Sequence, residues 1–253
     1  MEITQITKQI KIFFTIFYLL SVLSCSSSEN YPWLDTLDPG SGHMESGKRL
    51  VSLNIGLHPL EIPNGNEEVL LIGVHGSRSQ GFEWIYPLQT VDNNNTLTFF
   101  YRWNDQACVS PSANNLVTNI STLLKEHSNI ELVVLIGHSY GGVLVYSLVE
   151  SWDLDLPVEI HSVAGPLAGM RNLYSECGFV PPVFITRNVS FFEWRTQQQL
   201  DGAFKDLDAD PQIIYLNGST VTQLPDTYRG RRLGHNWSIS WVADKLDQFA
   251  TVE

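Results

Sequence analysis

The sequence predicts an α/β fold, a mostly parallel β-sheet with helices on both faces. Short apolar runs without alternation, such as Val69-Leu-Leu-Ile-Gly-Val74 and Leu132-Val-Val-Leu-Ile136, suit strands buried on both sides. Between such runs lie stretches with helical spacing, for example Leu116, Val117, Ile120, Leu123 and Leu124. Strands and helices that alternate in this way build strand–helix–strand crossovers and hence a parallel sheet.

The chain has 253 residues, 43% of them hydrophobic and 17% charged. That suffices for one domain with a substantial core. A formal net charge of −12 argues against nucleic acid as a partner and against docking of the protein surface on anionic lipid. No repeat, glycine-rich phosphate loop or metal-ligand cluster is visible, so no cofactor and no metal are expected, and a monomer is the simplest state.

The elements follow in order. Lys8 and Lys11 precede the apolar stretch Ile12–Ser24 and then Cys25, the pattern of an export signal. Val22-Leu-Ser-Cys25 resembles a bacterial lipobox, although Leu23 stands where a small residue is usual. That resemblance implies a signal peptide over 1–24, acylation of Cys25 and a lipid anchor in the cell envelope, at the outer membrane or periplasmic face. An ordinary signal peptide with secretion, or an uncleaved anchor, are the alternatives. Residues 25–47 are polar, with Pro32, Pro39, Gly40 and Gly42, and read as a flexible tether to a domain over 48–253. With Cys25 lipidated, Cys108 and Cys177 remain as a pair in an oxidising compartment, where a disulfide is open to them.

Alternation over Leu50–Ile55 predicts a first strand at the sheet margin, and Val69–His75 a buried one. Gly76–Gly81 is then a loop, Phe82–Tyr86 a helix, Leu97–Trp103 a strand and Pro111–His127 a helix. The strand over Leu132–Ile136 breaks at Gly137, and a helix runs on to about Trp152. Val158–Val163 is a strand, Pro166–Arg187 a loop with one short helix at best, Val189–Trp194 and Gln212–Leu216 two more strands, and Trp237–Phe249 a closing amphipathic helix. Sheets of this type bind ligands at the carboxyl ends of their strands. Ser139, His75-Gly76, Trp103-Asn104 and the loop after Val163 therefore converge on one edge.

Gly137-His-Ser-Tyr-Gly141 sits between a strand and a helix. Glycines two residues either side of Ser139 permit a turn too tight for larger side chains, which lifts the hydroxyl off the sheet. The same pentapeptide arises by chance in many chains, and its setting is what gives it weight. With His75-Gly76 after an early strand and a late Gly234-His235, the chain resembles the α/β-hydrolase superfamily, in particular its lipase and esterase branch, from about Lys48 onward. The resemblance implies an α/β-hydrolase fold with little or no lid domain. It also implies a serine nucleophile, an acid and a histidine in that order along the chain.

Ser139 is then the nucleophile and His235 the base, because an imidazole with an ordinary pKa of about 6.5 can take and return a proton near neutral pH. Asp201, in a short loop after a strand, is the acid, with Asp206 and Asp208 in reserve. By the same resemblance the N–H groups of Tyr140 and Ser77 form the oxyanion hole. His75, Gly76, His138 and Trp103 are candidates for substrate contact. Phe82, Trp84, Tyr86, Trp103, Tyr140 and Phe192 could line an acyl pocket or equally belong to the core. Arg229, Arg231 and Arg232 read as a solvated loop or as a clamp for an anionic group. The implied activity is hydrolysis of a small-molecule or lipid carboxylic ester through an acyl-enzyme. A thioesterase or acyltransferase with the same residues, or a catalytically silent binding protein on this fold, are the other readings.

Overall fold

A computed structural model describes residues 30–169 and 171–250. The predicted signal peptide and Cys25 lie outside the described residues. Residues from Trp33 onward belong to one compact unit. Among the described residues no helix is long and apolar enough to cross a membrane.

The buried apolar runs form the centre of the sheet: β2 (Val69–Val74), β3 (Thr96–Arg102), β4 (Leu132–His138), β5 (Val158–Val163) and β6 (Val189–Arg195). The short strands β1 (Gly56–Pro59) and β7 (Thr220–Gln223) flank them, giving the order β1-β3-β2-β4-β5-β6-β7. Only β1 is antiparallel to its neighbour. The side chains of each buried strand divide between two cores. Leu70, Ile72, Val133 and Leu135 pack with Val109, Leu116 and Ile120 of α3 (Val109–Glu126) and Val143 and Val145 of α4 (Tyr140–Tyr146). On the other face Leu71, Val134 and Ile136 pack with Leu50 of α1 (His43–Val51), Trp84 and Leu88 of α2 (Phe82–Val91), and Ile239 and Val242 of α6 (Ser238–Ala250). The remaining helix, α5 (Arg171–Ser175), lies in the β5–β6 connection, and Thr227–Tyr228 (β8) pairs with Arg231–Arg232 (β9) in a hairpin outside the main sheet.

Four expectations need correction. Leu50–Ile55 is not the first strand. Its start belongs to α1, which buries Ser46, Gly47 and Leu50 at helical spacing, and Ile55 is 66% exposed. The predicted tether is folded for much of its length. Leu34, in a 3-10 turn, and Leu37 just after it are buried, and α1 packs so closely on the loop before α2 that a side-chain carbon on Gly81 would sit 2.2 Å from the Gly47 carbonyl oxygen. A few well-placed apolar and glycine residues outweigh the polar composition there. Gln212–Leu216 is irregular, with Tyr215 fully exposed, and the seventh strand is Thr220–Gln223, an edge strand with little apolar alternation to announce it. The helix after Ser139 ends at Tyr146 and continues as turns.

Cys108 and Cys177 form a disulfide with Cα atoms 5.4 Å apart, joining the start of α3 to the β5–β6 connection. It closes a loop with a sequence separation of 69. By chain entropy such a bridge contributes roughly 4 kcal/mol. A Cys108→Ser, Cys177→Ser double variant is expected to lose a stability of that order, read from the urea midpoint under conditions where the wild type stays oxidised.

Candidate active site

β4 ends at His138 and α4 starts at Tyr140, so one residue makes the whole turn. That residue, Ser139, has φ 55° and ψ −119°. For a residue with a Cβ this conformation is strained by about 1–3 kcal/mol and persists only where its surroundings hold it. Here the hold is close backbone packing. A side-chain carbon on Gly137 would lie 2.4 Å from the Gly141 carbonyl oxygen, and one on Gly141 would lie 2.2 Å from that of Val74 and 2.5 Å from that of His75. The Ser139 N–H donates to Val163 O at 2.9 Å, which ties the turn to β5.

A cleft of about 90 Å³ opens beside the serine. Ser139, His138 and His235 line it together with the loop from Gly76 to Gln80. The Gly76 backbone faces the serine, because a carbon added there would lie 2.9 Å from Ser139 Cβ and 3.5 Å from its Oγ.

His235 reaches the cleft from the stretch before α6. Its Nδ1 meets Asp201 Oδ2 at 2.9 Å, across 34 residues of sequence. Asp201 is fully buried, just after a 3-10 turn that follows β6. It accepts two further hydrogen bonds, from the Thr196 hydroxyl at 2.5 Å and from the Ala203 N–H at 2.8 Å. Burial pushes its pKa up, but the His235 and Thr196 hydrogen bonds and the Ala203 N–H outweigh that and hold the carboxyl below its usual range. The reserve acids Asp206 and Asp208 are exposed and do not compete.

The other predicted site residues divide. Gly76, Ser77 and His138 line the cleft, whereas His75 and Trp103 are buried and do not. His138 supports His235: its Nε2–H donates to the His235 carbonyl at 3.0 Å. Burial, with the nearby His235, depresses its pKa to about 3, so the ring is neutral. His75 supports the facing loop. Its Nδ1–H donates to Gly76 O at 2.8 Å, and Nε2 accepts from Arg102 Nη1 at 2.6 Å and from the Trp103 N–H at 3.3 Å. Trp103 Nε1–H in turn donates to His75 O at 2.8 Å.

Of the aromatic candidates only Phe82 lines the cleft, and Trp84 and Trp103 are core. The Tyr140 ring lies tilted against Trp103, centroids 5.0 Å apart, and its hydroxyl donates to Ala107 O at 3.0 Å. Arg229 lies over the Tyr86 and Tyr228 rings and pairs with Asp244 at 3.3 Å, away from the cleft-lining residues. Sequence reasoning missed Thr196 and Glu83. Thr196 carries no motif, and Glu83 is one acid in a helical turn. Both become visible only once β6 and α2 are placed.

No family model and no curated protein matches the chain. Solved structures do. Est1E from Butyrivibrio proteoclasticus aligns with a TM-score of 0.53 at 12% identity, over 77% of this chain and 91% of that one. An α/β serine hydrolase without a lid from Xanthomonas campestris aligns at 0.50 and 11% identity, over 77% and 86%. A thioesterase candidate from Silicibacter aligns at 0.52 and 16%, over 87% and 91%. At these identities the likeness establishes the fold. The chain has the α/β-hydrolase fold, with a mostly parallel seven-stranded sheet.

His75 makes an acid-stability test. Burial first, then Arg102, lowers its pKa from 6.5 to about 4, against the pull of its backbone hydrogen bonds. Below pH 6.5 the unfolded chain takes up this proton and the folded chain does not, so stability falls as pH falls towards 4. The full shift corresponds to about 3 kcal/mol. A His75→Gln variant is expected to lose that part of the slope in urea midpoints measured between pH 7 and pH 4.

Proposed function

We propose that the protein is a serine hydrolase that cleaves a carboxylic ester through an acyl-enzyme on Ser139. One observation carries this: a serine at a strained strand-to-helix turn shares a cleft with a histidine whose Nδ1 is held by a buried, hydrogen-bonded aspartate. In this reading Asp201 accepts from His235 Nδ1–H, which leaves Nε2 free of a proton to act as base. Ser139 Oγ attacks the acyl carbon while its proton passes to His235 Nε2. The tetrahedral intermediate collapses, the C–O bond to the alcohol breaks, and His235 returns the proton to the departing oxygen. Water then repeats the sequence on the acyl-enzyme, releasing the acid and restoring the serine.

Two backbone donors suit the developing oxyanion. Tyr140 opens α4, and an N–H in the first turn of a helix has no acceptor within that helix. Ser77 is the second. In a trans peptide the carbonyl and the N–H point in opposite directions, so holding the Gly76 carbonyl on His75 turns the Ser77 N–H away from that ring. The serine hydrolase named among the structural neighbours supports this reading of the fold. The thioesterase candidate among them favours a second reading, a thioester substrate on the same acyl-enzyme. The β5–β6 connection carries a helix of five residues and offers little material for a lid, which suits small, water-soluble substrates. Export, with a lipid anchor on Cys25, completes the proposal from the sequence.

A fluorophosphonate probe is expected to label the wild type and not Ser139→Ala, and labelling that survives the substitution rejects the mechanism. Asp201→Asn is expected to lower kcat by about 10³–10⁴ with little change in KM, because the histidine loses its orienting acceptor. Steady-state hydrolysis of a p-nitrophenyl ester checks this.

A further inference from the structure

We propose that Glu83 determines the specificity of the Ser139 cleft, and that the preferred ester carries a hydroxyl or ammonium donor next to its scissile bond. This rests on the ester-hydrolase reading above and names its substrate class. Glu83 stands in the first turn of α2, is 9% exposed, and lines the same cleft as Ser139 and His235. Its Oε1 accepts from the Ser79 hydroxyl, while Oε2 is buried without a hydrogen-bond partner. Burial pushes the pKa of this carboxyl up, against the pull of Ser79 and of the Glu83 and Gly81 N–H groups.

A buried acceptor with no donor carries a desolvation penalty that a substrate donor removes. A site holding such a group rejects an analogue without the donor far more sharply than an apolar pocket rejects a missing methylene. The terminal torsion of a glutamate is broad, and rotation about it is what would present Oε2 to a donor in the cleft. The neighbouring walls agree in character. Ser77, Arg78, Ser79, Gln80 and Asn236 all line this cleft of about 90 Å³, and Phe82 is its one large hydrocarbon side chain among the described residues. Such walls do not shelter a long acyl chain. The net charge of −12 adds a field that favours neutral or cationic substrates over anionic ones.

Three esters of nearly equal size test this: ethyl propionate, ethyl glycolate with a hydroxyl, and glycine ethyl ester with an ammonium group at pH 7. The readout is the ratio of kcat/KM for each donor ester to that for ethyl propionate, in the wild type and in Glu83→Leu and Glu83→Gln. The ratio is expected to fall about tenfold in Glu83→Leu and less in Glu83→Gln, which keeps an acceptor oxygen. A fall for ethyl glycolate alone identifies a hydroxyl as the donor, a fall for glycine ethyl ester alone an ammonium, and a fall for both a donor of either kind. Thermal melting shows whether each variant is folded, and an unchanged ratio in a folded variant overturns the inference. A wild type that takes no fluorophosphonate on Ser139 overturns the hydrolase reading and this inference with it. A labelled wild type with an unchanged ratio overturns this inference alone.

Discussion

The site depends on a backbone contact. Gly141, the second residue of α4, lies so close to the Val74 and His75 carbonyls that no side chain fits between them. That approach presses the Ser139 turn against the end of β2. It holds Ser139 at φ 55° and brings Gly76 and Ser77 to the same cleft. Neutral, buried imidazoles brace both sides: His75 fixes the loop after β2, and His138 fixes the carbonyl of His235. Burial lowers the pKa of both rings, to about 4 and about 3, so both stay neutral near pH 7.

Asp201 is held differently. A carboxylate taken out of water is costly unless donors replace its hydration. Asp201 has three: His235, Thr196 and the Ala203 N–H. The stretch leading to His235 is itself clamped, since Tyr86 of α2 and Tyr228 of β8 donate to the two oxygens of Asp244 on α6, at 2.5 Å and 2.6 Å. The approach to His235 therefore rests on contacts among α2, α6 and the small hairpin, and Ser139 rests on the sheet.

The central strands were legible because residues buried on both faces leave unbroken apolar runs, as Leu70–Ile72 and Val133–Ile136 do. The turn was legible because its steric demand is written as glycines two positions from Ser139, and the pairing of His235 with Asp201 was legible through chain order by resemblance. What escaped had no periodic signature. Thr220–Gln223 is an exposed edge strand whose pairing with β6 comes from backbone groups that every residue shares. The N-terminal wall escaped because two leucines and a glycine-to-glycine contact outweigh a polar composition. Thr196 bonds Asp201 and Glu83 lines the cleft, properties of packing rather than of spacing.

The placement of the cysteines and of the acid–base pair has a consequence for biosynthesis. Cys108 and Cys177 bracket Ser139, while Asp201 and His235 both lie beyond the bridge. A chain emerging from N to C terminus therefore presents its cross-linkable, serine-bearing half before its proposed acid and base exist. Docking of α6, which covers one face of the sheet next to His235, comes later still. Covalent closure and the arrival of the proposed acid and base are thus separated in time, and nascent or prematurely terminated chains would carry the turn without them.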